Sequence, residues 1–346
     1  MKLAIIGAGL AGLAAAHKLR HSQSAIEIVL FEKSRGLGGR AATRRLHSAT
    51  FDHGAQYIKA PTPELEALLR EGTAQETLRD IGLPVWTFDQ HNQIAEGDPE
   101  QNSDPKWTYS DGITRIAKEL AQGLDIRRQL RIGHIAQANG SYILFDEQDA
   151  IVGVADAVLL TPPAPQTHDL IAASALPKAA QEVVLAELAR VSYRPCLTVT
   201  LGYPPKLHPR PFYALVNTDR QHPISWLAYE HLKPGRASSD QHVVIAQMAP
   251  EWSTSHWNDN LSQLTEQVAA LVSALLDEDL GAPLWGDRQG WRYALPDGCA
   301  DFDTLNSAIR GLFFAGDYTA GQGRVHLAIE QGWRVAEKII VGLDKS

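Results

Sequence analysis

The fold is decided by residues 3–12, whose sequence is LAIIGAGLAG. The first four residues predict a strand, and the Ala- and Leu-rich residues that follow Gly12 predict a helix. Gly7 permits a tight turn, Gly9 lets backbone N–H groups approach a pyrophosphate, and Gly12 lets the helix pack closely on the strand. Unpaired amides and the helix dipole favour a phosphate at the start of that helix. The stretch therefore predicts a dinucleotide-binding turn.

An acidic residue follows this turn at a spacing that bears on nucleotide recognition. The apolar run of residues 26–31 ends at Glu32, twenty residues after Gly12. At this spacing a carboxylate can accept hydrogen bonds from an adenosine ribose. Because the acid disfavours a 2′-phosphate, FAD or NAD is preferred to NADP.

Composition narrows the class of protein. The chain has 346 residues, of which 44% are hydrophobic and 21% charged, as in an ordinary soluble globular protein of about two domains. A net charge of −8 argues against nucleic acid or an anionic membrane as the main partner. The first apolar run is too short to span a bilayer and belongs to the glycine turn, so we predict a cytoplasmic protein.

Metal and thiol chemistry find no support in the sequence. Cys196 and Cys299 form no CxxC pair, which argues against a zinc ribbon and a redox disulfide. His17 and His21 share one helix face, but no third ligand accompanies them in the sequence pattern. We predict no metal site.

The order of the predicted elements indicates a discontinuous domain. The chain opens with strand, glycine turn and helix, continues through a mostly β middle, and closes with a strand at 312–315 and a helix at 325–341. A helix over 261–280 is predicted to be capped by Asn258 or Asp259. We expect one domain built from separated segments with a second domain inserted. The predicted ranges are 1–58, 108–165 and 296–346 for the first domain, and 59–107 and 166–295 for the second.

Two further motifs point to a larger ligand than the turn alone would hold. Residues 38–40 are GGR, where paired glycines expose backbone amides and Arg40 can pair bidentately with a phosphate. Residues 316–317 are GD and follow a strand, and Asp317 could bind a ribityl hydroxyl. A helix beginning near Arg324 would place positive potential beside a flavin ring.

Together these motifs resemble the FAD-dependent amine oxidase superfamily and, more closely, the bacterial renalase-like flavoproteins. The matching pieces keep their order over nearly the whole chain. They are EKSRGLGGRAATRR (32–45), FDHGAQY (51–57), KPGR (233–236), MAPEWS (248–253), WRYA (291–294), GD (316–317) and GRV (323–325).

The resemblance implies an α/β fold with non-covalently bound FAD. A Rossmann-like FAD-binding domain of the amine oxidase/p-hydroxybenzoate hydroxylase type would carry an inserted substrate domain with a mixed or antiparallel sheet and helices. The residues expected to hold FAD, from the motifs and the resemblance, are Gly7, Gly9, Leu10, Ala11, Gly12, Glu32, Lys33, Gly38, Gly39, Arg40, Gly54, Ala55, Gln56, Tyr57, Thr161, Gly316, Asp317, Gly323, Arg324 and Val325.

The resemblance also implies an activity. Aberrant 2- and 6-dihydro isomers of NAD(P) would be oxidised to NAD(P)+ by hydride transfer to flavin N5, with dioxygen taking the electrons and yielding hydrogen peroxide. Such a reaction depends on orientation and electrostatics more than on acid–base groups. Gln56 and Tyr57 would line the isoalloxazine. The candidates for the substrate side are Trp226, His231, Trp291 and Arg292.

Two other functions remain open at this point. An amine oxidase or desaturase of the same superfamily would need a narrow apolar tunnel or an aromatic cage, whereas a dinucleotide needs a wide, partly basic mouth. A catalytically silent flavin-binding module would hold FAD that no small-molecule donor reduces. The expected partners are a dihydronicotinamide dinucleotide or an amine, together with dioxygen, and neither nucleic acid nor a membrane.

Overall fold

A computed structural model describes residues 1–22, 25–236 and 240–343, which divide between two compact units. The first unit comprises Met1–Ala41, Ile116–Tyr193 and Leu295–Ser346, and the second comprises Ala42–Arg115 and Arg194–Ala294. The predicted FAD-binding and substrate domains do not have the same bounds as these two units. Residues 42–58, 108–115, 166–193 and Leu295 lie in one predicted domain but in the other unit. Because those ranges concern ligands rather than packing, they stay predictions.

The elements follow one another along the chain as strands and mostly short helices. The strands are β1 (Lys2–Ile6), β2 (Glu27–Glu32), β3 (Thr43–Leu46), β4 (Ala49–Asp52), β5 (Leu78–Asp80), β6 (Val85–Phe88), β7 (Ile94–Ala95), β8 (Trp107–Tyr109), β9 (Asp125–Arg128), β10 (Ile132–Ala138), β11 (Ser141–Asp146), β12 (Ile151–Ala155), β13 (Ala157–Leu160), β14 (Ser192–Tyr203), β15 (Ala214–Asn217), β16 (Ile224–Tyr229), β17 (His242–Met248), β18 (Trp285–Asp297) and β19 (Leu312–Phe314). The helices are α1 (Leu10–Arg20), α2 (Pro63–Leu69), α3 (Pro99–Ser103), α4 (Thr114–Leu120), α5 (Ala164–Ala172), α6 (Lys178–Leu188), α7 (Pro250–Ser255), α8 (Leu261–Leu276), α9 (Phe302–Ala308), α10 (Asp317–Ala320) and α11 (Val325–Leu343), with 3-10 turns at Gly72–Glu76 and Glu230–Leu232.

The first unit is built on a five-stranded parallel sheet in the order β19-β13-β1-β2-β9. Ile6 pairs with both Phe31 and Leu160, and Leu160 pairs with Phe314, so four strands end in one row. The carboxyl ends of parallel strands are where α/β sheets bind ligands. The turn after β1, the end of β2 and the loops after β13 and β19 therefore meet at one edge. An antiparallel sheet, β10-β11-β12, adjoins this core.

Helix α1 packs against α11, which joins the two ends of the chain within the first unit. The contact depends on Gly332 of α11, where an added Cβ would lie 2.3 Å from the carbonyl oxygen of Ala11 and 3.1 Å from Cβ of Ala14. Only a residue without a side chain permits so close a crossing. The predicted closing helix is confirmed, with its start at Val325 as expected.

The second unit contains a seven-stranded mixed sheet in the order β18-β14-β17-β16-β15-β6-β7. The β15–β6 pair is parallel, and the pairs joining β14, β17, β16 and β15 are antiparallel. One face packs on α8 through residues such as Val199, Val244 and Val268. The other face packs on Phe51 of β4 through Ala228, Ile245 and neighbouring residues. The predicted mixed or antiparallel sheet of the second domain is thus present.

The long helix of this unit corrects one predicted cap. Asn260, rather than Asn258 or Asp259, caps α8, because its side chain accepts from the backbone N–H of Gln263, whose own side chain bonds back. The helix stops at Leu276, four residues before the predicted end, where Asp277 takes a left-handed conformation with φ of 47°. Among the helices that the structure describes, we find none with both the length and the apolarity to cross a lipid bilayer.

Replacement of Gly332 by Ala should destabilise the protein by about 1–3 kcal/mol, because the new methyl group has to displace backbone atoms of α1. The matched control is Gly342→Ala in the same helix, where an added Cβ meets nothing within 4 Å. That change should be neutral or stabilising by up to about 1 kcal/mol. Urea unfolding of both variants measures the difference. Equal stabilities of the two variants would contradict the close helix crossing.

Candidate functional site

The glycine turn of the first unit has the geometry that its sequence predicts. Gly7 has φ of +103°, and a Cβ at Gly12 would lie 2.2 Å from the Gly7 carbonyl oxygen. A Cβ at Gly9 would meet nothing within 4 Å, so the backbone there is open to a ligand. Leu10 and Ala11 form the first turn of α1. Thr161, at the end of β13, donates its hydroxyl to the carbonyl of Gly7 at 3.1 Å and so braces the turn.

The second glycine motif lies directly beside the first. Gly38 donates its backbone N–H to Ala8 at 2.9 Å, and Gly38 and Gly9 form an isolated parallel bridge. Gly38 and Gly39 have φ of +93° and +59°, and a Cβ on Gly39 would come within 3.4 Å of Gly9 Cα. The two glycine segments therefore form one cradle of bare backbone, which is a shape that a pyrophosphate fits.

Glu32 closes the nucleotide end of this cradle. Its side chain is 9% exposed, and its two oxygens accept the backbone N–H groups of Ala8 at 2.8 Å and Ser34 at 2.7 Å. Each carboxylate oxygen has a further lone pair, so ribose hydroxyls can still be bound. Lys33 beside it donates to Gln166 at 2.9 Å, and its pKa is lowered by burial and by Arg131.

An open polar depression of about 470 Å³ adjoins Glu32 in the first unit. Backbone and side chains from three segments line it, namely Lys33, Ser34, Gln129, Leu130, Arg131, Asp146, Glu147 and Gln148. Space next to a carboxylate at the end of β2 suits the adenosine end of a dinucleotide. The cradle, Glu32 and this depression together fit the nucleotide portion of FAD.

Arg40 and Asp317 contact each other at the same edge of the sheet. Arg40 Nη1 donates to Asp317 Oδ2 at 2.6 Å, and the hydroxyl of Tyr193 donates to Asp317 Oδ1 at 2.7 Å. Asp317 is 3% exposed, whereas Arg40 keeps a third of its side chain exposed. Although burial opposes it, the ion pair with Asp317 raises the pKa of Arg40. Arg40 thus stays a cation at the edge of the cradle.

The segment after β19 differs in detail from the sequence expectation. A one-turn helix, α10, begins at Asp317 immediately after Gly316, and a short loop then leads to α11. In that loop Arg324 lies next to the start of α11, with its guanidinium bonded to the carbonyl of Gly323 at 3.3 Å. Val325 is the first residue of α11. The sequence predicts a single helix start near Arg324 and carries no signal for the earlier turn.

Four buried charges organise the second unit around Asp52. Asp52 Oδ2 lies 3.0 Å from Lys233 Nζ and 2.8 Å from Arg236 Nη2, while Glu230 pairs with the same two cations at 2.8 and 2.5 Å. All four side chains are at most 1% exposed. Burial disfavours the Asp52 anion, but Lys233 and Arg236 outweigh it and lower the pKa of Asp52 well below its usual value. We call these residues the buried quartet.

The quartet fixes the segment that follows β4, in which four predicted cofactor residues lie. Gln56 is 6% exposed, and its amide donates to the carbonyls of Asp52 at 2.6 Å and Gly54 at 3.1 Å. Its carbonyl oxygen accepts the hydroxyl of Tyr213 at 3.1 Å, and Gln247 of β17 also donates to Gly54 at 2.6 Å. These bonds hold Gly54 and its neighbour Ala55 against the sheet. The side chain of Gln56 therefore orients the loop from within.

Tyr57 and Trp226 lie together on the same face of the sheet. Their ring centroids are 6.1 Å apart at an angle of 40°. Trp226 is opposite Gln247, which is opposite Thr198, so their side chains share the face on which residues 52–57 pack. Trp226 Nε1 is buried and has no hydrogen-bond partner among the described residues.

Trp291 contacts His53, which is not among the predicted site residues. The rings of Trp291 and His53 stack with centroids 5.4 Å apart at 13°, and Trp291 Nε1 donates to the carbonyl of His53 at 2.9 Å. His53 is 6% exposed, and its Nδ1 has no partner among the described residues. Burial, together with Arg44, lowers the pKa of His53 to about 4. The imidazole is therefore neutral at pH 7.

The other two predicted substrate-side residues lie elsewhere in the unit. His231 stacks on His242 at 4.0 Å, with Nδ1 3.1 Å from the carbonyl oxygen of Val243, and burial lowers its pKa to about 4. Arg292 follows Trp291 in β18 and so points to the opposite side of the strand, where its guanidinium lies 5.5 Å from the ring of Trp257. Neither contact places these two side chains beside Trp226.

Several residues with structural roles at the site were missed from the sequence. Glu230, Lys233 and Arg236 are spaced by three, a spacing that brings opposite charges together and could have suggested an ion-pair cluster. His53 lay within the quoted FDHGAQY segment but carried no signal of its own. Tyr193 gave none, since it meets Asp317 across 124 residues of sequence.

Comparison with known proteins identifies the family. The description Flavin containing amine oxidoreductase matches residues 90–340, and NAD(P)-binding Rossmann-like domain matches residues 5–71. Since the first match covers more than half of the chain, the protein belongs to the flavin containing amine oxidoreductase family. It is an FAD-dependent oxidoreductase.

Solved structures of low sequence identity share the fold over nearly the full length. An Exiguobacterium sp. 255-15 protein, provisionally described as a protoporphyrinogen oxidase, has a TM-score of 0.80 at 16% identity, covering 99% of each chain. Cyclohexylamine oxidase from Brevibacterium oxydans IH-35A gives 0.77 at 13% identity, also covering 99% of each. A putrescine oxidase bound to putrescine gives 0.75 at 14% identity with 99% of each chain covered. The predicted fold class, a Rossmann-like FAD-binding domain with an inserted domain, is confirmed.

The stability of the protein should depend on the charge balance within the buried quartet more than on any single contact in it. Lys233→Met leaves two buried carboxylates with one cation, and we expect a loss of about 3–5 kcal/mol in unfolding free energy. The double variant Glu230→Gln/Lys233→Met keeps the Asp52–Arg236 pair and should be more stable than the single variant. Lys59→Met, which removes an exposed pair with Asp104, is the control and should cost at most about 1 kcal/mol. A double variant less stable than Lys233→Met would refute the argument.

The neutral, buried His53 should make stability depend on pH. The unfolded chain binds a proton on this residue below its ordinary pKa of 6.5, whereas the folded protein does so only below about 4. Between these values the unfolded state carries more protons, so stability falls as the pH is lowered from 6.5 towards 4. From pH 7 to pH 5, wild type should lose about 2 kcal/mol more than His53→Asn. Parallel denaturation curves at both pH values, with equal losses for the two proteins, would show that His53 is not responsible.

Proposed function

We propose that the protein oxidises the aberrant 2- and 6-dihydro isomers of NAD(P) to NAD(P)+, with dioxygen as the electron acceptor. When bound, FAD supplies the hydride acceptor for this reaction. The overall balance is dihydronicotinamide, dioxygen and a proton giving nicotinamide cation and hydrogen peroxide. The resemblance of the FDHGAQY, KPGR, MAPEWS and WRYA segments to renalase-like flavoproteins supports this assignment within the family.

The observation that carries the proposal is the charge state of the face on which residues 52–57 pack. Asp52 and Glu230 are the buried carboxylates among the described residues of the second unit, and cations pair with both. Neither carboxylate is left to bind an ammonium group. By contrast His53 Nδ1, Thr200 Oγ1 and Trp226 Nε1 are buried neutral groups without partners among those residues. Unpaired neutral donors and acceptors suit a carboxamide, since each costs free energy until it is bonded.

The residues assigned to FAD are those of the cradle and the edge around it. Gly7, Gly9, Gly12, Gly38 and Gly39 would admit the pyrophosphate, Glu32 the ribose, and Arg40 with Asp317 the phosphate and ribityl portions. The remaining assignments follow the resemblance, namely Leu10, Ala11, Lys33, Gly54, Ala55, Gln56, Tyr57, Thr161, Gly316, Gly323, Arg324 and Val325. The thiol of Cys299 has a pKa raised by burial, which favours the protonated form and supports non-covalent binding.

The substrate-side groups would act through binding and electrostatics. Loss of hydride turns a neutral dihydropyridine ring into a pyridinium cation, so no base is needed. Aromatic faces such as those of Tyr57, Trp226 and Trp291 interact more strongly with the developing cation than with the neutral ring. Because His53 is neutral at pH 7, it places no opposing charge near Trp291. Arg292, which is exposed, could pair with a phosphate of the dinucleotide, and His231 is a weaker candidate because it is packed against His242.

Oxidation of an amine is the second candidate function. The tilted pair of Tyr57 and Trp226 favours it, because two inclined aromatic rings can enclose a small cationic or neutral amine. Two of the proteins with similar folds are amine oxidases by name. A catalytically silent flavin-binding module is the third alternative. Such a module would hold FAD that no small-molecule donor reduces.

Anaerobic mixing of the FAD-loaded protein with candidate donors tests the proposal. We expect the 2- and 6-dihydro isomers of NAD(P) to bleach the oxidised-flavin absorbance rapidly and to yield NAD(P)+, while ordinary NADH and a panel of amines react slowly. Rapid bleaching by an amine instead would transfer the protein to the second candidate. If no donor bleaches the flavin, the catalytically silent flavin-binding module is the hypothesis that remains.

A pair of tryptophan variants separates a role at the substrate face from general packing. Trp226→Phe removes the unpartnered N–H and weakens the aromatic face, and should slow bleaching by the isomers about tenfold. Trp86→Phe alters a tryptophan that packs on Phe212 in the α8-side cluster and should leave the rate unchanged. If the isomers bleach the flavin of Trp226→Phe and Trp86→Phe at equal rates, Trp226 has no specific role in the reaction.

A further inference from the structure

Gln247 is a polar residue on an otherwise apolar side of its strand. In β17 the side chains of Val243 and Ile245 lie on the same side as Gln247, since alternate residues of a strand share a face. Val243 and Ile245 are 4% and 0% exposed and pack in one cluster with Phe51, whereas Gln247 is half-buried. Packing against Phe51 therefore does not account for an amide at this position.

The neighbours of Gln247 across the sheet are also polar. β17 is an interior strand, and Gln247 is opposite Thr198 of β14 on one side and opposite Trp226 of β16 on the other. Residues directly opposite each other in antiparallel strands have Cβ atoms about 4.5–5.5 Å apart. The N–H of Trp226 is buried and has no partner among the described residues. Gln247 thus lies next to an indole whose donor is unpaired.

One hydrogen bond fixes the orientation of the Gln247 amide. Its Nε2 donates to the backbone carbonyl of Gly54 at 2.6 Å. A backbone carbonyl only accepts hydrogen bonds, so the amide cannot turn its own oxygen towards Gly54. Gln56 donates to the same carbonyl at 3.1 Å, which gives Gly54 a second partner. The bond therefore orients the amide of Gln247, whereas the loop has another anchor.

The oriented amide keeps an acceptor and a donor for a ligand. Among the residues that the structure describes, none bonds to Gln247 Oε1, and Nε2 carries a second N–H besides the one that Gly54 accepts. Another primary carboxamide carries the complementary donor and acceptor. An ammonium group has donors only, and a ketone has an acceptor only, so each would leave one of the two groups unpaired.

We propose that Gln247 determines specificity for the carboxamide of the substrate: its Oε1 accepts an N–H of the nicotinamide amide group. The carboxamide oxygen then faces the neighbouring donors, which are the second N–H of Gln247 and the indole N–H of Trp226. The inference rests on the proposed function, in which a dihydronicotinamide is the substrate, and it names the residue that recognises the amide. A ring without the amide NH2 would leave Oε1 unpaired in the complex.

Calorimetric titration of the FAD-loaded protein tests the inference without turnover. The probes are NAD+, which is the product of the proposed reaction, and its 3-acetylpyridine analogue, in which a methyl group replaces the amide NH2. We expect wild type to bind NAD+ about tenfold more tightly than the analogue. Gln247→Met keeps the length of the side chain and removes the amide, so its two dissociation constants should agree within about twofold. Gln247→Leu provides a second apolar replacement with the same expectation.

Gln241→Met is the matched control for a loss of packing in the same unit. Gln241 is 5% exposed, accepts the N–H of Trp285 at 2.8 Å and donates to the carbonyl of His47. Its replacement should lower the stability of the unit but keep the preference for NAD+ at about tenfold, because a change in packing affects both dinucleotides alike. If Gln247 were only structural, its replacement would weaken both dinucleotides and leave their ratio unchanged.

Three results would overturn the inference. They are equal affinities of wild type for NAD+ and the analogue, no binding of either by wild type, and a preference that persists in Gln247→Met and Gln247→Leu. Failure of the proposed function is a different result, in which the dihydro isomers do not bleach the flavin. Rapid bleaching with an unchanged preference in the Gln247 variants would overturn the inference alone. No bleaching, together with a preference that these variants lose, would overturn the proposed function alone.

Discussion

Helix α1 can occupy its position only because Gly12 and Gly332 have no side chains. A Cβ on Gly12 would lie 2.2 Å from the carbonyl of Gly7, and one on Gly332 would lie 2.3 Å from the carbonyl of Ala11. One glycine thus brings the helix onto the turn after β1, and the other brings α11 onto the helix. The two ends of the chain are joined through this layer, and the parallel strands beneath it bring Glu32 and Asp317 to the same edge.

The parts of the first unit that the sequence predicted are those whose chemistry is local. The glycine turn, the acid at Glu32 and the start of α11 at Val325 each depend on a few neighbouring residues, and each lies where expected. Arg40 and Asp317 contact each other although 277 residues separate them in the sequence. Each was predicted to bind part of FAD, and neither was predicted to pair with the other. Their pairing depends on two loops meeting at the sheet edge, which no local pattern encodes. The one-turn helix at Asp317 escaped prediction because four residues are too few for helical periodicity.

The second unit was less predictable because its organising interactions contradict the usual exposure of charged residues. Lysine and arginine are seldom buried, so Lys233 and Arg236 gave no reason to expect a place in the core. The mostly β character of the middle of the chain was predicted, since β-branched and aromatic residues mark strands such as β16 (Ile224–Tyr229) and β17 (His242–Met248). Trp226 and Trp291 were predicted to lie on the substrate side, and that role stays a prediction. His53 was not predicted to lie there, because a lone histidine beside an aspartate has many structural roles. The burial that makes His53 neutral is visible only in three dimensions.

The buried quartet holds the segment after β4 in place with charges of both signs. Ion pairs fix the segment after β4, and the two acids and two bases of the quartet have no net charge when all four are ionised, although burial raises the pKa of Glu230. A single buried carboxylate would anchor the loop equally well, but it would also attract any cation and favour an ammonium ligand. A single buried cation would oppose formation of a pyridinium. A balanced cluster avoids both effects. Under the proposed function, aromatic surfaces and neutral hydrogen-bonding groups at this face would decide selectivity, for a substrate that enters uncharged at the reacting ring and leaves as a cation.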